Sequence, residues 1–175
     1  GRVLKESKFK QVWIQPAAGD AGSALGAALQ VWHQYFEQPK YPTKTDDFMQ
    51  GAYLGDSFTH LEVVEACKEK AVVYQSVEEH NLYKLVANLL TQDKVIGWYQ
   101  DKMEFGPRAL GNRSILGDPR SQNMQRQMNL KIKQRESFRP FAPAVLEEDL
   151  GKWFDISSIS PYMLITAPIQ ESIRI

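Results

Sequence analysis

Apolar positions change period several times along the chain, and each change marks an element. Val12, Trp13 and Ile14 form a short apolar run predicted as a strand, and the turn formers Pro16, Gly19, Asp20 and Gly22 follow at once. Ser23 reads as a helix N-cap. Behind it Leu25, Leu29, Trp32 and Phe36 recur every three or four residues, a core-facing stripe in an alanine-rich segment. Residues 37–50, with Pro39, Pro42, Thr43, Thr45, Asp46 and Asp47, break both periods and are predicted as a connection.

Thr59 and Glu62 then have capping-box spacing ahead of Leu61, Val64 and Cys67, and Leu82, Leu85, Val86, Leu89 and Leu90 mark a second amphipathic helix. Residues 71–74 between them, and 95–99 after them, read as strands. The latter runs into a long irregular stretch over 100–120, rich in glycine, proline and arginine, and such loops carry sites more often than cores. Met124, Met128 and Ile132 share one helical stripe, from which Arg126 and Lys133 are rotated away. Residues 141–146 and 162–165 read as strands around a short helix holding Leu150, Trp153 and Phe154. Alternating strands and helices predict an α/β or α+β protein.

Composition changes little in that picture. Of 175 residues, 43% are hydrophobic and 24% charged, the balance of an ordinary globular chain, enough for one medium domain or a small one plus the edge of another. No apolar run approaches the ~20 residues that span a bilayer, and no signal-peptide core opens the chain, so no membrane partner is expected. The chain starts abruptly at Gly1, as an excised fragment would. Cys67 is the single cysteine; it reads as a buried, inert thiol in a reducing, cytoplasmic setting.

Charge is more telling. The chain is neutral overall, yet residues 102–139 hold nine basic residues against three acids. One basic segment in a neutral protein points to a local anionic ligand rather than to general adhesion to a polyanion.

Three constellations lie in or near that chemistry. In Gly19-Asp20-Ala21-Gly22 the glycines allow backbone N–H groups to approach phosphate at a helix start, and Asp20 can hold a cation; the same spacing also suits Asp20 as a turn former or cap. In the stretch from Glu104 through Gly106-Pro107-Arg108 to Gly111-Asn112-Arg113-Ser114, two arginines share a stiff loop with two glycines and a proline. Guanidinium forks there suit phosphate or carboxylate oxygens, whereas pairing of Arg108 and Arg113 with Glu104 and Asp118 is the plainer alternative. In the third, Lys131, Lys133 and Arg135 end a helix whose dipole they complement, and Arg139 sits among Phe138, Pro140, Phe141 and Pro143, where a charge needs a carboxylate or a bound anion. His33, His60 and His80 have no ligand spacing. No CxxC pair, Walker A loop, GxSxG elbow or GxGxxG fingerprint is present.

These residues resemble the C-terminal half of the O-carbamoyltransferases that include nodulation-factor, cephalosporin and aminoglycoside carbamoylating enzymes. The resemblance is carried by Gln15-Pro16-Ala17-Ala18-Gly19-Asp20-Ala21-Gly22-Ser23, by residues 103–120 and 129–146, and by Ser160-Pro161-Tyr162-Met163. It implies an actin/sugar-kinase-like transfer domain ending in a strand-loop-helix over 1–36, a linker over 37–50, and part of a YrdC-like activating domain, a twisted mixed sheet with flanking helices, over 51–175. Both ends are expected to be incomplete.

The resemblance further implies that the YrdC-like part makes carbamoyl-adenylate from carbamoyl phosphate and ATP, and that the other domain transfers the carbamoyl group to the hydroxyl of a small-molecule acceptor. Asp20 matches a ligand of a divalent metal, iron or magnesium, whose histidine ligands would precede Gly1. Arg108, Lys133 and Arg139 match residues that hold carbamoyl phosphate and nucleotide phosphates; Arg113 and Ser114 belong to the same loop as Arg108 and are further candidates for binding substrate or nucleotide. Lys102 fits less well, because the family has Gly-Arg where this chain has Asp101-Lys102. The pattern continues beyond Ile175, so the fragment alone is expected to be inactive. The alternative is a non-catalytic nucleotide- or RNA-binding module using residues 102–139. Phe105, Phe138 and Phe141 sit beside prolines or glycines and read as packing rather than as a stacking platform, which disfavours nucleic acid. An oligomer is left open.

Overall fold

The computed structural model describes residues 2–9, 12–41 and 47–174. The ends at Gly1 and Ile175, and residues 42–46 of the predicted connection, lie outside them. The protein is mixed α/β, and it gathers into two compact units: Gly1–Gly55 with Glu104–Leu110 and Ala144–Ile175, and Asp56–Met103 with Gly111–Pro143.

The first unit opens with helix α1 (Arg2–Glu6) and an extended segment over 12–15 that pairs with no strand among the described residues, so the predicted strand at 12–14 does not form. The chain turns at 16–19 and enters α2 (Asp20–Gln30) three residues before the predicted cap at Ser23. Gly19 is the N-cap, and the Ser23 hydroxyl donates back to the Gly19 carbonyl at 3.2 Å. Gly22 permits this early start: a Cβ there would lie 2.3 Å from the Ala17 carbonyl oxygen. Past Gln30 the helix widens into a π-helical turn, Val31–Tyr35. The rest of the unit is short: a 3-10 turn at Gln50–Ala52, another at Glu147–Asp149 leading into α6 (Leu150–Trp153), and a single bridge between Phe154 and Ile169. The predicted strands at 141–146 and 162–165 are absent. Among the described residues Pro16, Met49 and Ala52 are the buried apolar residues of this unit.

The second unit begins with α3 (His60–Glu69), capped as predicted: Thr59 Oγ1 accepts from Glu62 N at 3.3 Å, and Glu62 Oε2 accepts from Thr59 N at 2.7 Å. Cys67 is half-buried rather than buried. Residues 71–74 do not form the predicted strand, because they serve to end α3. Ala71, at φ 51°, donates to Lys68 O and Val72 donates to Cys67 O, a Schellman ending with alanine where glycine is favoured. An alanine there carries a left-handed penalty. Ala71→Gly is therefore expected to stabilise the protein by about 0.5–1 kcal/mol, read as a higher urea midpoint; an unchanged midpoint would count against the assigned geometry.

Helix α4 (Glu79–Thr91) ends in the same way with Asp93 left-handed. Of its predicted stripe Val86 and Leu90 face a two-stranded antiparallel sheet, β1 (Ile96–Tyr99) and β2 (Arg113–Leu116), paired from Ile96–Leu116 to Tyr99–Arg113, while Leu85 is exposed. Tyr83, Val86, Leu90, Trp98 and Leu116 line a shallow apolar cleft of about 260 Å³ between helix and sheet. Helix α5 (Met124–Gln127) continues as a π-helical turn, Met128–Lys133, which Gln134 ends in a left-handed conformation. Met124 and Met128 are buried over Gly117, whose missing Cβ would sit 2.7 Å from both side chains. Ile132, predicted on the same stripe, is exposed, because the wider turn rotates each residue less and carries it off that face. Among the described residues no helix is long and apolar enough to cross a membrane.

Candidate functional site

The loop that bears Arg108 is Glu104–Leu110, and it is tied at both ends. The buried Glu104 carboxylate accepts from Leu110 N at 2.8 Å, closing the loop on itself. Phe105 N donates to Ala52 O at 2.6 Å, and the Tyr53 hydroxyl donates to Leu110 O at 2.8 Å. Gly106, at φ +101°, lies against Ala17, so close that a Cβ would be 2.5 Å from the Ala17 Cβ. Arg108 stands exposed between these ties, and among the described residues its guanidinium has no hydrogen-bond or ion-pair partner. A loop tied at both ends has the ordering cost of its backbone met before any anion arrives.

Arg113 and Ser114 open β2 in the other unit. The Arg113 guanidinium donates to the carbonyls of Gln100 (2.5 Å), Asp101 (2.9 Å) and Asn112 (3.0 Å) and stacks 3.5 Å over the Tyr99 ring. It is thereby spent largely on closing the turn after β1. Ser114 Oγ accepts from Gly111 N at 3.1 Å. The half-exposed polar ends of this hairpin explain why β2 was hidden in a stretch that reads as irregular.

Lys133 is the last residue of the turn that follows α5; it is exposed, without a partner among the described residues. Arg139 is also exposed, and so is Phe138 at 76%, which corrects the expectation of a charge enclosed by apolar neighbours. Its Nε donates to Glu136 at 3.1 Å in an open ion pair of the kind worth little to stability. The segment is ordered instead by Asn129, which is fully buried. Asn129 Nδ2 donates to Ser137 O (3.1 Å) and Arg139 O (2.8 Å), and its Oδ1 accepts from Arg135 Nε at 2.6 Å. Gln125 Nε2 adds bonds to the carbonyls of Phe138 and Arg139, and Arg135 stacks 4.8 Å over Phe141. Sequence reading missed Asn129; its one signal is an amide directly after the buried Met128.

Asp118 pairs with Arg120, not with either loop arginine. That hydrogen bond, together with the Arg120 backbone N–H, lowers the Asp118 carboxyl to about 2. A depressed carboxylate contributes stability that is present above its unfolded value near 4 and lost as pH falls through about 2. A carbon-detected titration should place the Asp118 midpoint near 2; a midpoint near 4 would show that the pair does not form in solution.

Asp20 lies exposed in the first turn of α2. Among the described residues no group of three or more His, Cys, Asp or Glu is gathered to hold a metal ion. One carboxylate is too few to form such a site.

The family model described as Carbamoyltransferase C-terminus matches residues 87–175, and that described as Carbamoyltransferase N-terminus matches residues 1–29. The Synechocystis protein sll1178 is 55% identical over 100% of this chain, which covers 29% of that protein. Nodulation protein NolO of Bradyrhizobium diazoefficiens is 38% identical over 98% of the chain and 31% of its own length. The 3'-hydroxymethylcephem-O-carbamoyltransferase of Amycolatopsis lactamdurans is 34% identical over 94% of the chain and 29% of its own length. The chain thus spans less than a third of these relatives. Two family models that together take in both ends of the chain, and relatives that align along nearly all of it, lead to one conclusion: this chain belongs to the carbamoyltransferase family.

Proposed function

We propose that the complete protein transfers a carbamoyl group to the hydroxyl of a small molecule, using carbamoyl phosphate and ATP, in the reducing cytoplasm. In this reading water takes the phosphoryl group of carbamoyl phosphate to leave carbamate and inorganic phosphate, the carbamate oxygen attacks the α-phosphorus of ATP and displaces pyrophosphate to give carbamoyl-adenylate, and the acceptor hydroxyl oxygen then attacks the carbamoyl carbon, losing its proton as AMP leaves. Residues 51–175 form part of a YrdC-like domain for the first steps, residues 1–36 end the transfer domain, and 37–50 join them.

The observation that carries the reading is Arg108, a guanidinium without a partner among the described residues on a loop tied at both ends, in a chain of this family. Arg108, Lys133 and Arg139 supply positive charge to the phosphates, where fixed cations also stabilise charge that develops on adenylation. Arg113 and Ser114 shape the turn. Arg139 must exchange Glu136 for the ligand, which costs little because the pair is open to water. A divalent metal, if bound, would supply Lewis acidity at the transfer step, with Asp20 as one of its ligands.

The test supplies the complete protein with carbonyl-labelled carbamoyl phosphate, ATP and a panel of hydroxyl acceptors. Label should enter the acceptor oxygen with one AMP formed per transfer. Transfer that proceeds without AMP formation would refute the adenylate route.

A further inference from the structure

The Ser160-Pro161-Tyr162-Met163 block takes no part in the chemistry above, yet Tyr162 lies at a knot in the first unit. Its hydroxyl donates to Asp47 Oδ2 at 2.5 Å and accepts from Gly51 N at 3.0 Å. The Asp47 carboxylate also accepts from Met49 N at 3.0 Å and Gly51 N at 2.8 Å. Burial, with the Asp47 hydrogen bond adding to it, pushes the Tyr162 hydroxyl up to about 12. The same bond holds the Asp47 carboxyl below its usual range. Donor and acceptor therefore keep these roles at any ordinary pH.

The turn inside this knot is one that the chain would not adopt unaided. Gln50, Gly51 and Ala52 have φ of 50°, 71° and 66°, and two of the three are not glycine. Left-handed residues in succession persist only where outside bonds over-determine them. Tyr53 follows, its ring so close over Gly51 that a Cβ there would lie 2.7 Å from it. This same turn grips the Arg108 loop at both ends, Ala52 O receiving Phe105 N and the Tyr53 hydroxyl reaching Leu110 O.

We infer that Asp47, Tyr162 and Tyr53 act as one clamp that positions Arg108, so that the 160–163 block serves the anion site from a distance through the turn at 49–53. The inference rests on the reading of Arg108 as a phosphate ligand. None of the three touches substrate; all are positioning residues, and the clamp works by keeping the loop ordered before the ligand binds.

Tyr162→Phe and Tyr53→Phe each remove one hydroxyl and keep the ring. In the complete protein each is expected to raise the KM for carbamoyl phosphate about tenfold when Arg108 is present and less than about twofold in an Arg108→Ala background, because groups that act through one residue are not additive. Equal factors in the two backgrounds, or no effect in either, overturn the inference. Hydrogen exchange at the Phe105 and Leu110 amides needs no ligand, and it should speed about tenfold in both variants. Unchanged exchange overturns the clamp whatever the kinetics. If Arg108→Ala alone leaves KM unchanged, the phosphate reading of Arg108 fails, and exchange then decides whether the clamp holds its loop.

Discussion

Asn129→Ala is expected to lower the stability of the second unit by about 3 kcal/mol, the largest loss that any single polar side chain of that unit should produce. Asn129 is at 0% exposure, and its amide satisfies two carbonyls and one guanidinium at once. A buried hydrogen-bonding group left without its partner costs roughly 1–3 kcal/mol, and the alanine also leaves a small void. Part of the loss is recoverable, since Arg139 O keeps its bond from Gln125 and Ser137 O can reach water. Asn129→Asp is informative beside it: the carboxylate keeps the Arg135 bond but loses both donors and sets a negative charge against two carbonyls. Urea unfolding measures both variants. A loss below about 1 kcal/mol in both would mean that the segment over 134–139 is held by something other than this amide.

The second large effect is catalytic and leaves stability alone. Arg108→Ala in the complete protein should lower kcat/KM for carbamoyl transfer by roughly 10- to 150-fold, the equivalent of the 1.5–3 kcal/mol typical of a charged hydrogen bond. Its thermal midpoint should not move, because the side chain is exposed and has no partner among the described residues to lose. Arg108→Lys keeps the charge and loses the planar fork, so it should recover only part of the rate. A variant that loses rate and stability together would instead mark Arg108 as a structural residue.

What the sequence disclosed and what it hid divide along physical lines. Local codes were legible: the Thr59–Glu62 capping box, the helix α4 and the apolar run of β1 all depend on residues a few positions apart, and all three form. Strands read from apolar runs alone fared worse. Residues 12–14, 71–74, 141–146 and 162–165 are apolar, but a strand exists only where another pairs with it, and among the described residues none does. Conversely β2 begins with Arg113 and Ser114, polar residues in a glycine-rich stretch, and becomes a strand because β1 is opposite.

The site followed the same division. The stiffness of the Arg108 loop was visible in Gly106-Pro107, and among the described residues its guanidinium has no partner. The expectation for Arg139 misjudged burial: apolar neighbours in sequence are not a cover in space, and Phe138 beside it is open to solvent. The parts that hold the cations in place were invisible, because Asp47 and Tyr162 lie 115 residues apart in sequence and Tyr53 and Leu110 lie 57 apart. No periodicity or spacing rule connects such pairs.

The claim that the basic loops serve a phosphate ligand is tested most directly by arginine footprinting of the complete protein. Phenylglyoxal modification, read by mass spectrometry, would be followed with and without carbamoyl phosphate and ATP. The account predicts that saturating ligand protects Arg108 at least about tenfold, as a charged bidentate contact should, while the exposed Arg126 reacts at an unchanged rate. Arg108 reacting equally fast under saturating ligand would contradict it.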